Sequence, residues 1–180
     1  MLLDFLVGLH LACGLNTGEL IFLEPTTIDI ISTTPQKDTS YEITEINYSP
    51  DSLTLVFADA GRTICVYVYD CSKFLWTFIG KHRAHYKDIS TVFFLNDKNK
   101  DGEFKLVSLG SDRTMAEYDI GNSSEEYLEV FSLDRIEQTA IPLAGIVWPT
   151  PKGLDTEECR TDLPLILIST SEVIILHLCR

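Results

Sequence analysis

The sequence predicts an all-β protein assembled from repeated antiparallel sheets, and three observations predict it. Short runs rich in Val, Ile, Phe, Tyr and Thr alternate with clusters of Gly, Asn, Asp, Ser and Pro, the compositions of strands and of the turns between them. No apolar stripe at helical spacing outlasts about two turns. One strand–turn–strand unit, closed by an acidic residue, recurs along the chain.

The elements follow in order. The opening run, MLLDFLVGLHLACG, is apolar, yet no Lys or Arg precedes it and Asp4 interrupts it. It is also too short to cross a bilayer as a helix, so a buried strand or a truncated chain start is expected rather than a signal peptide. The first copy of the unit has Leu11–Leu15, a turn at Asn16-Thr17-Gly18, then Glu19–Glu24. The second has Leu53–Phe57, a turn at Asp59-Ala60-Gly61-Arg62, then Thr63–Asp70. The third has Lys105–Leu109, a turn at Gly110-Ser111-Asp112-Arg113, then Thr114–Asp119. A degenerate fourth has Leu165–Ser169, a turn at Thr170-Ser171-Glu172, then Val173–Leu176. The closing acids Glu24, Asp70 and Asp119 are 46 and 49 residues apart.

A four-stranded propeller blade takes about 40 to 45 residues, so each interval holds one blade and a loop insertion. The remaining strands fall where a blade needs them. Ile43–Tyr48, Ile89–Phe94 and Leu143–Trp148 precede the second, third and fourth copies, and Phe74–Phe78 and Leu128–Phe131 supply outer strands. Inner strands are apolar on both faces because each is sandwiched between neighbouring blades. The expected architecture is a single partial β-propeller of about three to four blades of four antiparallel strands. Its blades lie near 1–35, 40–80, 86–134 and 140–180, with loop insertions at 96–103 and 149–163. That is fewer than most rings of roughly four to eight blades, so an incomplete ring with unpaired strand edges and a tendency to associate is expected.

Charge and cysteine usage narrow the partners. The net charge of -13 and pI near 4.6 repel polyphosphate backbones and anionic membrane surfaces, leaving neither nucleic acid nor membrane as an expected partner. Five cysteines, Cys13, Cys65, Cys71, Cys159 and Cys179, are odd in number and scattered, without a C-x-x-C pair. A reducing compartment and no zinc site are expected.

Three motifs carry a resemblance. Asn47-Tyr48-Ser49-Pro50-Asp51-Ser52 is similar to the F-S-P-D-G turn that follows the innermost strand of a WD repeat. Gly110-Ser111-Asp112-Arg113-Thr114 with Tyr118-Asp119 resembles the G-S-x-D-x-T…W-D ending, and Ala84-His85 before Ile89 and Phe93 resembles the opening G-H. The chain thus resembles the WD-repeat β-propeller family. The resemblance implies a buried blade network of His85, Ser108, Asp112 and Tyr118. Tyr118 stands where the family has Trp, and a phenol does not reproduce the indole donor geometry. In the second copy Asp59 or Ala60 occupies the place of the turn Asp and no His precedes Ile43, so that blade is expected to lack the network.

Leu106–Arg113, Glu117–Asp119, Tyr127–Val130, Gly18–Leu20, Leu23–Pro25 and Ile146–Trp148 further resemble WD-repeat components of motile axonemes, over roughly residues 11–178. That implies a scaffold of cilia and flagella near the radial-spoke base, with radial-spoke and calmodulin-associated proteins as partners. The Glu-rich and EF-hand-like regions of such proteins do not occur in these 180 residues, so a short form or part of a longer chain is expected.

Other sites have plainer readings. Asp97, Asn99 and Asp101 with Gly102 match the first half of a calcium loop, but the twelfth position is Ser108 and strands flank it, so a solvated insertion is favoured. His82 and His85 are read as a surface-loop residue and a network residue, not as a metal pair. Tyr67, Tyr69, Trp76, Phe78 and Trp148 are read as packing between blades. G-x-S-x-G, G-x-G-x-x-G and G-K-[ST] strings are all absent. The expectation is a non-enzymatic protein-interaction scaffold without cofactor or small-molecule substrate. A general cytosolic WD-repeat adaptor and a calcium-regulated binding module are its alternatives.

Overall fold

Every regular element among the described residues is a strand. The computed structural model describes residues 2–4, 10–31, 36–98, 102–124, 126–136, 139–148 and 165–178. β1 (Leu2–Asp4), β2 (Leu11–Gly14) and β3 (Leu20–Leu23) form the first sheet. Isolated antiparallel bridges from Leu20 to Gln36 and from Leu23 to Ile30 add to its β3 edge. The second sheet is β4 (Ile43–Tyr48), β5 (Thr54–Asp59), β6 (Ile64–Asp70) and β7 (Leu75–His82). The third is β8 (Ile89–Lys98), β9 (Phe104–Gly110), β10 (Thr114–Ser124) and β11 (Tyr127–Arg135). The fourth is β12 (Pro142–Trp148), β13 (Leu165–Thr170) and β14 (Ile174–Leu178). Consecutive strands pair antiparallel in each.

Strand alternation explains how these sheets stack. Along β5 and β6, Leu55, Phe57, Cys65 and Tyr67 face the first sheet and join Ala12, Leu20 and Phe22 in one core. The intervening Val56, Ala58, Ile64 and Val66 face the third sheet and join Val92, Leu106, Ala116 and Tyr118 in another. The opposite parity of the third sheet, Val107, Leu109 and Met115, packs on Ile166 and Ile168 of the fourth. A period of two therefore places an apolar residue in one core or the next at every step. Leu55, Leu106, Leu109, Ile166 and Ile168 are fully buried, each stabilising the stack by about 1.5–3 kcal/mol.

The first strands neighbour one another in order, β1 on β4, β4 on β8 and β8 on β12, while the last strands β7 and β11 meet farther out. Sheets stacked in this radial sequence are a propeller segment.

Several strands outrun their sequence signals. β7 reaches His82, β8 reaches Lys98 opposite Phe104, and β10 reaches Ser124 opposite Tyr127. In each case a bulge absorbs extra residues and lets pairing resume: between Val66 and Tyr67, between Phe94 and Lys98, and between Asp119 and Ser124. His82 is therefore the end of a strand rather than part of a loop, and residues 96–98 of the expected 96–103 insertion belong to β8. Residues 99–101 and the 149–163 insertion lie outside the described residues.

Candidate functional site

The β9–β10 turn assembles the most elaborate polar site among the described residues. Arg113 takes φ 70°, the left-handed conformation that closes the turn. Asp112 then points back over it. Its Oδ1 accepts the Thr114 N–H at 3.1 Å and hydroxyl at 2.6 Å, and its Oδ2 accepts the Tyr86 N–H at 3.0 Å. His85, in the connection between β7 and β8, lies with Nδ1 3.1 Å from Asp112 Oδ1 and from Thr114 Oγ1, and with Nε2 2.7 Å from Ser108 Oγ. Ser108 on β9 is in turn 2.9 Å from the Tyr118 hydroxyl on β10.

Electrostatics set the direction of the protons. Burial depresses the His85 pKa below its ordinary value despite the Asp112 carboxylate beside it. Burial also works to raise Asp112, but the bonds from Thr114, His85 and the Tyr86 amide outweigh it and hold the carboxyl low. Burial drives the Tyr118 phenol well above its usual range, so it remains a donor. A neutral imidazole beside an ionised carboxylate must place its proton on Nδ1. Nε2 then accepts from Ser108, and Ser108 accepts from Tyr118. The phenol fills the place left by the indole: its O–H closes the chain rather than breaking it.

Serine, histidine and aspartate in this order share the geometry of a hydrolytic triad. Their surroundings forbid the chemistry. Ser108 is wholly buried, His85 is 2% exposed and Asp112 4%, and Tyr118 covers the serine oxygen on its remaining side. A substrate carbonyl cannot reach the hydroxyl. The arrangement is a clasp that ties the β7–β8 connection to β9, the turn and β10.

The second sheet carries a clasp of different chemistry. Tyr67 sits opposite Leu55 just as Tyr118 sits opposite Leu106, and Arg62 repeats the left-handed turn of Arg113 at φ 69°. Tyr67 donates to the Asp38 carboxylate and Thr39 donates to Asp59, whose other oxygen accepts the Thr63 N–H at 2.8 Å. The expectation that this blade lacks a network holds for the histidine form alone. Aligning the closing acids Asp70 and Asp119 displaces the two copies by two residues. Aligning the left-handed turn positions brings Tyr67 onto Tyr118 and exposes the parallel.

Side chains also tie neighbouring sheets together where their first strands converge. Glu45 on β4 accepts the Thr91 hydroxyl at 2.7 Å and the Val92 N–H at 3.1 Å, both on β8. Ser90 donates to the Pro142 carbonyl of β12 at 2.7 Å. A cleft of about 430 Å³ opens beside these clamps, lined by Glu45, Asn47, Thr91, Asn96 and Ile146 among others. No motif in the sequence points to it, because its residues come from three strands far apart in the chain.

The remaining candidates do not converge on a site. Asn99 and Asp101 lie outside the described residues, as does the side chain of Asp97. The His82 ring meets Tyr127 edge-on at 4.9 Å, while His85 is committed to the clasp. Among the described residues no three His, Cys, Asp or Glu side chains gather as a metal site. Tyr67, Tyr69 and Trp76 are buried in the core between the first two sheets, and Phe78 packs against it. The Trp148 side chain lies outside the described residues. Cys13, Cys65 and Cys71 are free thiols, while Cys159 and Cys179 lie outside the described residues.

Fold and site together define a class: a propeller segment whose sheets are clasped internally and whose acid–base chain is sealed in the core. Among known proteins, the chain is 30% identical over 146 residues to cilia- and flagella-associated protein 251 of Pongo abelii, covering 79% of this chain and 12% of that protein. It is 27% identical over 144 residues to the Mus musculus protein of that name, covering 79% and 11%, respectively. It is 30% identical over 124 residues to the Tetrahymena thermophila protein, covering 57% and 12%. The chain thus spans about an eighth of the length of these relatives. Saccharomyces cerevisiae Sqt1 superposes with a TM-score of 0.66 at 15% identity, over 95% of this chain and 41% of that one. At that identity the likeness concerns the fold. No family model matches the chain.

Proposed function

We propose that this chain is a non-catalytic protein-interaction scaffold of motile cilia and flagella, working at the radial-spoke base of the axoneme. The observation that carries the reading is the 27–30% identity, held across 79% of the chain, to proteins named as associated with cilia and flagella. Each sheet acts as one blade, and the clasp of His85, Ser108, Asp112 and Tyr118 fixes a blade's strands so that its loops are presented rigidly. The sealed Ser108 hydroxyl supports a role without catalysis. Radial-spoke and calmodulin-associated proteins are the partners this reading names, and the net charge of -13 suits a basic surface on one of them.

The test is expression of a tagged chain in ciliated cells, followed by fractionation and proximity labelling. Retention in detergent-extracted axonemes with labelling of radial-spoke components is expected. Soluble cytosolic labelling with none in the axoneme would leave the general adaptor as the better account.

A further inference from the structure

His10, half-buried just ahead of β2, ties the first sheet to three strands of the second. The Trp76 indole N–H on β7 donates to His10 Nδ1 at 3.1 Å. The Tyr48 hydroxyl on β4 donates to the His10 carbonyl at 3.0 Å. The Tyr69 ring on β6 meets the imidazole edge-on at 5.2 Å, and Phe22 of β3 stacks on Trp76 at 4.8 Å with the planes 3° apart. Tyr48, Tyr69 and Trp76 are buried.

The central bond works in one direction only. An indole N–H donates and never accepts, so Nδ1 must keep its lone pair and the neutral ring carries its proton on Nε2. His85 holds the opposite tautomer. A proton added to His10 Nδ1 sets N–H against N–H, and neither group can turn round to accept. The other two low-pKa imidazoles are not opposed in this way. His85 Nδ1 faces the Asp112 carboxylate and the Thr114 hydroxyl, which accept from a cation as well as from a neutral ring. His82 lies against the Tyr127 ring, and the charge of Glu129 favours its cation.

We infer that His10 is a proton-sensitive latch: neutral, it pins the chain ahead of β2 to Trp76 on the last strand of the second sheet, and protonated, it lets go. Glu24, one residue past β3, supplies a negative charge that favours the cation, but burial opposes it more strongly and the folded pKa lies below 6.5. Closure is therefore complete above 6.5 and is lost as pH falls toward the folded value. The carbonyl that Tyr48 bonds belongs to the same residue, so displacement of His10 loosens both anchors and wets the Trp76 N–H. The core behind them does not titrate, since Ala12, Leu20 and Phe22 meet Leu55 and Phe57 through apolar atoms. The scaffold thus carries a contact that mild acid opens while its sheets stay paired.

Tryptophan fluorescence tests this in a Trp148→Phe background, which leaves Trp76 as the remaining indole of the 180-residue chain. Below pH 6.5 and above the carboxylate range, the emission is expected to shift to the red while the strand signal in circular dichroism holds constant. His10→Asn keeps an acceptor oxygen that does not titrate, so the shift is expected to vanish in it and to persist in His85→Gln. A shift that survives His10→Asn, no shift in the parent, or loss of strand signal at the same midpoint would overturn the latch. A second measurement does not depend on the indole. Trp76→Phe removes the N–H and keeps a ring to stack on Phe22, and NMR titration of the His10 Cε1–H in that variant is expected to give a midpoint above the parent's. An equal or lower midpoint would show that the indole N–H does not oppose the proton.

Discussion

Gly110 lies directly beneath the His85 imidazole: a Cβ built on it would stand 2.3 Å from Nδ1 and 2.4 Å from Asp112 Oδ1. The glycine at the end of β9 is thus required by the clasp rather than by backbone conformation, since its φ is not among the positive values.

Gly110→Ala therefore forces the imidazole out of reach of both partners. The overpacking and the lost bonds together are expected to cost about 2–4 kcal/mol, read as a fall in the urea midpoint at unchanged slope. An alanine variant as stable as the parent would show that the ring does not sit where the geometry places it.

The clasp is expected to respond unequally to loss of its members. Asp112→Ala strands the Tyr86 and Thr114 amides at once and leaves the His85 N–H with Thr114 Oγ1 as its remaining partner, for a cost of about 3 kcal/mol or more. Tyr118→Phe removes one hydroxyl and leaves Ser108 still bonded to His85, costing about 1 kcal/mol. Chemical denaturation of both variants and of the double variant gives their coupling. A Tyr118→Phe cost equal to that of Asp112→Ala would mean that the phenol, not the carboxylate, anchors the network.

Fold and clasp were legible in the sequence to different degrees, for reasons that lie in particular residues. The runs Leu53–Phe57 and Lys105–Leu109 announce strands sandwiched on both sides, because period two delivers alternate residues to two cores. Gly110, Asp112 and His85 fall in the opening and closing motifs that resemble a WD repeat, so that clasp is readable although His85 and Asp112 stand 27 residues apart. The Asp38–Tyr67 and Thr39–Asp59 bonds span similar distances of 29 and 20 residues but use different residue types, so no motif carries them. Strand ends were least legible. Bulges after Phe94 and Asp119 carry β8 and β10 into polar sequence that composition assigns to loops.

Acid is expected to loosen the fold in two stages. His10, His82 and His85 all have pKa values pushed below 6.5, in each case chiefly by burial. The unfolded chain then binds more protons than the folded one as pH drops below 6.5, so the stabilisation from neutral imidazoles, complete above that value, is lost as pH falls toward the folded pKa values. Asp112, held below 3.8 by its bonds although burial opposes them, contributes stability that is complete above 3.8 and is lost only at lower pH. Thermal melts across this range, compared with His85→Gln, should show a shallower slope below pH 6.5 and above 3.8 in the variant. An identical slope would assign the first stage to the other histidines.

Corresponding turns are expected to differ in what they tolerate. Gly18, Arg62 and Arg113 occupy the same left-handed position in the hairpins of the first three sheets, at φ 80°, 69° and 70°. Arginine there carries conformational strain of about 1 kcal/mol. Arg113→Gly relieves that strain while adding freedom to the unfolded chain, so a change within about 1 kcal/mol of zero is expected. Gly18→Ala meets a second obstacle, since its Cβ would stand 2.5 Å from the Thr39 carbonyl oxygen and 2.8 Å from that of Tyr41. Those carbonyls belong to the segment that bears Thr39 and Asp38, the second sheet's clasp. The substitution is therefore expected to cost about 2 kcal/mol or more and to speed amide exchange at Thr63, whose N–H bonds to Asp59. Equal tolerance of Gly18→Ala and Arg113→Gly would show that the first hairpin does not brace the segment beside it.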